Sequence, residues 1–314
     1  MTQMWWRKLT RLVVTLLVCS FAIYGSIDLA PGDTVTAITG GRPVSASVRK
    51  ELTEYHHLND PFLVRYASWL GRAVRGDLGQ SVVSRRPAAE LLLSRLPATM
   101  ALVGYASLLI IFIGVPLGAF AAGHGGGTDT MVVVTTGAVA AIPAFVASAA
   151  LLALLAVKLR IFPSFGTGKG FVDGIYHLTL PAVALALPAC GYVARVTRSA
   201  VLAESAREYV QAAYSRGLSR GYVLRVHVMR NALLPITTTV GITITALIAG
   251  SVVVEQIFSI SGIGRLLVQS VAAKDVAVVQ AVSMFMVTSF VVLNAAVDAL
   301  YPILDPRIGR GTSA

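Results

Sequence analysis

The chain has 314 residues, of which 55% are hydrophobic and only 13% are charged, and its mean hydropathy is +0.74. Soluble domains carry about 25% charged residues, so this composition excludes an ordinary soluble protein and indicates a membrane protein. The net charge of +11 does not indicate nucleic-acid binding, because with so few charged residues it is better explained by arginines at membrane boundaries.

Six apolar stretches are long enough to cross a hydrocarbon core, which takes about 20 helical residues. They lie near Leu9–Leu29, Thr99–Ala122, Met131–Val157, Leu178–Ala194, Ala232–Val254 and Ala277–Leu300. The first follows Trp5 and Trp6, which are typical of a membrane interface, and we expect it to remain as an uncleaved span. The sequence therefore predicts an all-α membrane protein with six transmembrane helices.

Basic residues indicate the orientation, because arginine and lysine accumulate in short cytoplasmic loops. With the N-terminus inside, the cytoplasmic segments hold twelve of these residues and the short exterior loops hold five. Nine more lie between residues 30 and 98, in a loop long enough to be largely exempt from the rule. Both termini are therefore predicted to face the cytoplasm.

The long exterior loop has the pattern of a small helical subdomain. Its DPFLVRYASWLGRAVRG stretch opens with Asp60 as a cap and Pro61 at the first helical position, and Gly76 is expected to end the helix. Further helices are predicted after Pro43 and over residues 87–97.

This layout divides the chain into three predicted segments. Residues 1–29 form the N-terminus and the first span, and residues 30–98 form the extracytoplasmic helical subdomain. Residues 99–314 form the membrane core, which includes a cytoplasmic loop at residues 195–232.

Residues suited to catalysis or metal binding are scarce. His56, His57 and Asp60 come closest to a metal site, but adjacent histidines point to different sides of a helix. The GHGGGTD stretch at 123–129 lacks the Lys-Ser/Thr of a phosphate-binding loop and is predicted to be a tight turn. We therefore expect no enzyme activity, metal or cofactor in the chain itself.

Ionisable residues are nearly absent from the predicted spans. Asp28, Glu255 and Asp298 lie near span ends, whereas a proton-coupled carrier is expected to place such residues deep in the membrane. This pattern disfavours a self-powered secondary transporter.

The fifth predicted span is rich in threonine. Thr239 and Thr243 are four residues apart and share one helix face, which makes them candidates to line a translocation path. Helix packing is the alternative, because small residues and hydroxyl groups are favoured between membrane helices. The sequence leaves both interpretations open.

Residues 195–230 interrupt the apolar sequence with seven arginines. A loop that served only to set the membrane topology would account for the arginines. It would not account for a loop far longer than a turn, or for its high apolar content. A helical pattern around Tyr209 and Tyr214 runs to Gly217, and a second one leads to Pro235 at the membrane. Helix, glycine break and helix indicate a short helix presented to a cytoplasmic partner.

These motifs resemble the membrane-spanning permease subunits of ATP-binding-cassette (ABC) importers of the peptide/nickel group, in particular the B-type inner-membrane subunits of dipeptide and oligopeptide permeases. The matching stretches are TRSAVLAESAREYVQAAYSRGLS, RVHVMRNALLPI, VVVEQIFSISGIGRLL and VDALYPILDPRIG, and upstream LAPGD, LNDPFLVRYASWLGRAVRGDLGQSV and RPAAELLLSRLPAT. The resemblance covers nearly the whole chain and implies a fold like that of a type I importer permease.

The resemblance implies a coupling loop whose helix sits in a cleft of a cytoplasmic ATPase. The coupling residues that it implies are Glu208, Tyr209, Gln211, Ala212, Ala213, Arg216, Gly217 and Leu218. Gln211 stands where the family motif has an acidic residue, so this position offers no carboxylate for a salt bridge. The small alanines and Gly217 keep the shape of the implied docking surface.

The resemblance also implies the rest of the assembly, an importer of peptides or a similar small substrate in the bacterial inner membrane. Its other parts would be a second homologous permease, two ATPase subunits that use ATP and magnesium, and an extracytoplasmic substrate-binding protein. The exterior subdomain is expected to contact that binding protein, with Phe62 and Trp69 as candidate contacts. The alternative is a self-contained channel or secondary transporter, which would need no ATPase.

Overall fold

A computed structural model describes residues 2–28, 35, 44–55, 60–124 and 126–304. Within these residues every regular element is helical, apart from one bridge between Gln80 and Pro87. The LAPGD and DPRIG motifs and the pair His56 and His57 lie outside the described residues.

The described residues form a succession of helices. In chain order they are α1 (Thr2–Asp28), α2 (Ala46–Tyr55), α3 (Phe62–Val74), α4 (Ala88–His124), α5 (Gly126–Ala140), α6 (Ala144–Lys158), α7 (Gly170–Ser205), α8 (Glu208–Ser215), α9 (Arg220–Ile257), α10 (Ile263–Ala272) and α11 (Val276–Leu304). Three of them contain a π-helical segment: Ile110–Gly114 in α4, Leu152–Lys158 in α6 and Leu224–Val228 in α9.

Within the described residues, four helices are long and apolar enough to cross a membrane, namely α4, α7, α9 and residues Val276–Ala299 of α11. They contain the second, fourth, fifth and sixth predicted spans. The first predicted span falls in α1, whose apolar part, Thr10–Ser26, is shorter. An all-helical membrane architecture is therefore confirmed.

The third predicted span is not one straight helix. α5 and α6 meet at an angle of 95°, and the structure has up to five spans if this pair is counted as one. Pro143 explains the break, because proline has no backbone N–H to continue the helix and its ring collides with the preceding turn. α6 begins immediately after Pro143.

For the helices before the second span, the observed ends also differ in part from the predicted ends. Pro61 lies at the N-cap of α3, one position before the first helical residue where the sequence placed it. Gly76 ends α3 as predicted, with a φ of +89°. The helix predicted over residues 87–97 does not stop at Pro97, because α4 continues through it.

The described chain forms two compact units. The first, unit A, comprises residues 2–100 and 261–292. Its main apolar cluster joins α4, α10 and α11 through Leu92, Ile263 and Val282. A hydrogen bond from the Ile263 N–H to Thr99 Oγ1 (2.9 Å) fixes the start of α10 to α4.

Unit B comprises residues 101–260 and 293–314, of which the structure describes those up to 304, without 125. Its central helix is α7, which packs against α4, α5, α6 and α9. Small residues allow these helices to approach closely, as is usual between membrane helices. At Gly118, for example, a Cβ atom would lie only 2.7 Å from the Cβ of Thr197.

Candidate functional site

The predicted coupling helix is α8, and its C-terminal end is closed by glycine. The N–H of Leu218 donates to the carbonyl of Ala213 (3.3 Å), and the N–H of Gly217 donates to the carbonyl of Tyr214 (2.9 Å). This pair of bonds is a Schellman motif, which requires a left-handed residue after the helix. Gly217 is that residue, with a φ of +81°, as the sequence predicted.

The N-terminal end of α8 follows α7 almost directly. Two residues separate Ser205, the last of α7, from Glu208, the first of α8. Arg207 has an extended backbone (φ −68°, ψ 146°) and turns the chain there. Glu208 places its negative charge in the first turn of α8, where it complements the positive end of the helix dipole.

One face of α8 is buried. Val210 is fully buried and Ala213 is 8% exposed, and their spacing of three residues places them on the same side of the helix. They pack in an apolar cluster with residues of α7 and α9, which are Val201, Val223, Val228, Ala232 and Ile236. This packing holds α8 on the ends of the two long helices that flank it.

The opposite face of α8 and the turn after it are exposed. The predicted coupling residues on this surface are Glu208, Gln211, Ala212, Arg216, Gly217 and Leu218. The two alanines of the motif therefore differ in their surroundings, because Ala213 is buried and Ala212 is open. The exposed residues form the surface that a partner could contact, whereas Ala213 lies on the inner face.

The Tyr209 hydroxyl group is hydrogen-bonded to both of the long helices that flank α8. The hydroxyl donates to the carboxylate of Glu204 in α7 and accepts a bond of 2.8 Å from the Asn231 side-chain amide in α9. Partial burial and then the bond to Glu204 raise the pKa of Tyr209 above its usual value. The hydroxyl therefore keeps its proton at neutral pH and can donate.

Three residues of the site were not among the predicted ones: Glu204, Val210 and Asn231. Val210 was omitted although its spacing from Ala213 could have marked it as part of a buried face. Asn231 carried no such signal, because its partner Tyr209 lies 22 residues away and on another helix.

The hydroxyl groups of Thr239 and Thr243 donate hydrogen bonds within their own helix. Thr239 Oγ1 donates to the carbonyl of Pro235 (2.9 Å), and Thr243 Oγ1 donates to that of Thr239 (2.7 Å). Helix packing does occur nearby, because a methyl group at Gly241 would overlap the side chain of Val297. A role of Thr239 and Thr243 in a translocation path stays a prediction.

Phe62 and Trp69 belong to an aromatic cluster between α3 and α1. The ring centroids of Tyr24 and Trp69 are 5.2 Å apart, and Trp69 is only 7% exposed. These side chains hold α3 in place, so Trp69 in particular does not offer a contact surface. The most exposed large apolar residues of α3 are instead Leu63, which is 67% exposed, and Val74, which is 80% exposed.

Groups suited to binding a metal ion do not come together in the part of the chain that the structure describes, where no three His, Cys, Asp or Glu side chains cluster.

Comparison with protein families matches residues 114–310 to the family described as binding-protein-dependent transport system inner membrane component. The chain is 36% identical over 304 residues to the oligopeptide transport system permease protein AppB of Bacillus subtilis, covering 95% of each chain. It is 35% identical to a putative peptide transport system permease protein of Brucella abortus, over 98% of this chain and 99% of the relative. It is 30% identical to the glutathione transport system permease protein GsiC of Escherichia coli, over 96% and 97% of the two chains.

Among solved structures, the chain is similar to one from inward-facing conformations of the MetNI methionine ABC transporter. The TM-score is 0.55 at 17% sequence identity, and the match covers 68% of this chain and 96% of the other. At this level of identity the likeness concerns the fold.

Proposed function

Because the chain belongs to the family of binding-protein-dependent transport system inner membrane components, we propose that it is the membrane-spanning permease subunit of an ABC importer of small peptides. The related permeases are named for oligopeptides, peptides and glutathione, and glutathione is itself a tripeptide. These names support a small peptide as the substrate class.

The proposed mechanism rests on the way α8 packs against α7 and α9. Its inner face is anchored by Val210 and Ala213, while Gln211, Ala212 and Leu218 remain exposed. A helix that is fixed to two long helices on one side and open on the other is suited to transmit a push from a bound partner. We therefore assign the exposed side to an ATPase subunit.

In the proposed cycle, two ATPase subunits bind ATP with magnesium and close on each other. Their movement displaces α8, and the displacement reaches α7 and α9 through the apolar cluster around Val210. The spans then open outward and accept a peptide from an extracytoplasmic binding protein. ATP is hydrolysed in the ATPase subunits, and this chain provides the path through the membrane.

The assembly requires more than this chain. A second homologous permease forms the other half of the pore, and both lie among the lipids of the bacterial inner membrane with their termini in the cytoplasm. We assign the binding-protein contact to the exposed side of α3, around Leu63 and Val74, with Phe62 and Trp69 supporting it from beneath.

The translocation path is proposed to pass Thr239 and Thr243. Both threonines are half-buried, whereas Thr245 of the same helix is only 1% exposed. Their hydroxyl oxygens retain lone pairs after donating along the helix, so they can still accept hydrogen bonds from a passing peptide.

The proposal is tested by transport into vesicles. The chain is reconstituted with its partner permease, the ATPase subunits and the binding protein, and uptake of radiolabelled dipeptides, tripeptides, oligopeptides and glutathione is measured. We expect uptake that requires both ATP and the binding protein. Uptake by vesicles that contain this chain without ATPase subunits would instead identify a self-contained channel or secondary transporter.

A further inference from the structure

Tyr209 is the side chain that hydrogen-bonds α8 to both of its neighbours. Within the described residues, its hydroxyl contacts Glu204 at the end of α7, and in α9 it contacts Asn231 and, at 3.4 Å, the carbonyl oxygen of His227. Gln211 also reaches back, to the Ser205 carbonyl, but only on the α7 side.

The Tyr209 hydroxyl uses both kinds of hydrogen-bonding capacity. It donates its single proton to the Glu204 carboxylate and accepts from the amide of Asn231. The same amide nitrogen donates to the His227 carbonyl at 3.2 Å, within the π-helical segment of α9. The hydroxyl group thus connects α8 to the point where α9 changes from π-helical to α-helical geometry.

The hydrogen bond between Tyr209 and Asn231 is directional, whereas apolar packing is not. The contacts of Val210 and Ala213 resist separation of α8 from its neighbours, but burial of apolar surface is non-directional and resists sliding or rotation less strongly. A hydrogen bond has preferred distances and angles, so it fixes the orientation of α8 relative to α9.

We propose that Tyr209 is a positioning residue, which transmits rotation of α8 to α9 through Asn231 and does not itself contact the ATPase. This inference rests on the proposed function of the chain as an importer permease. It separates Tyr209, which transmits movement, from the coupling residues assigned to docking, which are Glu208, Gln211, Ala212, Arg216, Gly217 and Leu218.

The test compares Tyr209→Phe with Asn231→Leu in the complete reconstituted importer. Each variant removes the hydrogen bond from one side and keeps a side chain of similar size. Tyr222→Phe is the matched control, because Tyr222 is 51% exposed and its hydroxyl makes no hydrogen bond within the described residues. Three quantities are measured: ATPase pull-down, ATP hydrolysis, and uptake of the labelled peptide that the wild-type complex transports fastest.

We expect Tyr209→Phe and Asn231→Leu each to raise the ATP hydrolysed per peptide transported about fivefold, as the loss of one net hydrogen bond predicts. Pull-down of the ATPase should be unchanged, and Tyr222→Phe should behave as wild type. The effect in the double variant should stay well below the product of the two single effects, because both substitutions remove the bond between Tyr209 and Asn231.

Three outcomes overturn the inference alone: a wild-type ratio of ATP to peptide in both single variants, weakened ATPase pull-down by Tyr209→Phe, or effects that multiply in the double variant. Absence of ATP-dependent uptake by the wild-type complex has a different meaning. It would refute the proposed function, and this inference with it.

Discussion

Gly217 and Gly221 lie four residues apart in the same exposed segment, and neither has an atom near the position that a Cβ would occupy. They differ in backbone conformation. Gly217 has a φ of +81°, whereas Gly221, in the first turn of α9, does not have a positive φ. Substitutions at these two glycines therefore separate the effect of backbone conformation from the effect of the space available to a side chain.

We expect Gly217→Val to weaken ATPase association or to uncouple hydrolysis from transport. A residue with a Cβ in the left-handed region costs about 1–2 kcal/mol, and relief of that strain would distort the Schellman motif after Ala213. The measurements are pull-down of the ATPase and uptake per ATP in reconstituted vesicles, with membrane insertion checked alongside.

Gly221→Val serves as the control and is expected to retain coupling, because its backbone can remain helical. Charge reversal at Arg220 or Arg225 should also have a small effect, since exposed ion pairs contribute about 0–1 kcal/mol each. Normal transport by Gly217→Val together with loss of transport in the arginine variants would show that charge, and not the shape of the turn, determines docking.

The residues of the site differ in how well the sequence predicts them. Gly217 was predictable because a glycine after a helical pattern is a local signal. The bond between Tyr209 and Asn231 was not predictable, because it joins two helices and neither residue is unusual in its own surroundings. The sequence did not show that Trp69 is only 7% exposed, because a large apolar side chain at helical spacing is compatible with both a contact surface and core packing.

At the scale of whole helices, long apolar runs predicted the existence of the spans but not where a proline would break one of them. Pro143 breaks the third predicted span, yet Pro97 lies within α4 without ending it. The residue type alone does not separate these cases, because a helix continues through a proline where neighbouring helices hold it. The π-helical segments were equally beyond the sequence pattern, because one extra residue in a turn leaves composition and hydropathy unchanged.

The packing of α4 against α7 leads to a prediction at Gly118. A Cβ at this position would overlap the carbonyl oxygen of Ala194 and lie 2.7 Å from the Cβ of Thr197. We expect Gly118→Ala to destabilise the chain by about 1–3 kcal/mol, as overpacking of a closely packed core does. Thermal unfolding in a mild detergent measures the change.

Gly137, in the last turn of α5, is the matched control, because no atom of the described residues lies within 4 Å of the position its Cβ would occupy. Alanine is favoured over glycine within a helix by about 1 kcal/mol, so Gly137→Ala is expected to be neutral or stabilising. Equal effects of the two substitutions would contradict close contact at Gly118.

At the scale of the whole molecule, the proposed importer predicts a docking surface on the exposed side of α3. Val74→Arg is expected to lower stimulation of ATP hydrolysis by the binding protein about tenfold, because a central interface residue contributes more than 1 kcal/mol. Basal hydrolysis should be unchanged. Val172→Arg is the control, since Val172 is equally exposed at 80% but lies in unit B. Unchanged stimulation in Val74→Arg would place the binding protein elsewhere.

The orientation of the chain gives the last prediction, and it rests on the twelve basic residues assigned to the inside against five in the short exterior loops. Single cysteines at the exposed residues Arg75 and Arg216, and at Arg310, are introduced after Cys19 and Cys190 have been replaced by alanine. A membrane-impermeant maleimide added to intact cells should label position 75 alone, and permeabilised cells should show labelling at positions 216 and 310 as well. The result at position 216 is decisive, because α8 can bind a cytoplasmic ATPase only if this segment is inside. Labelling of position 216 in intact cells would therefore contradict both the orientation and the coupling role of α8.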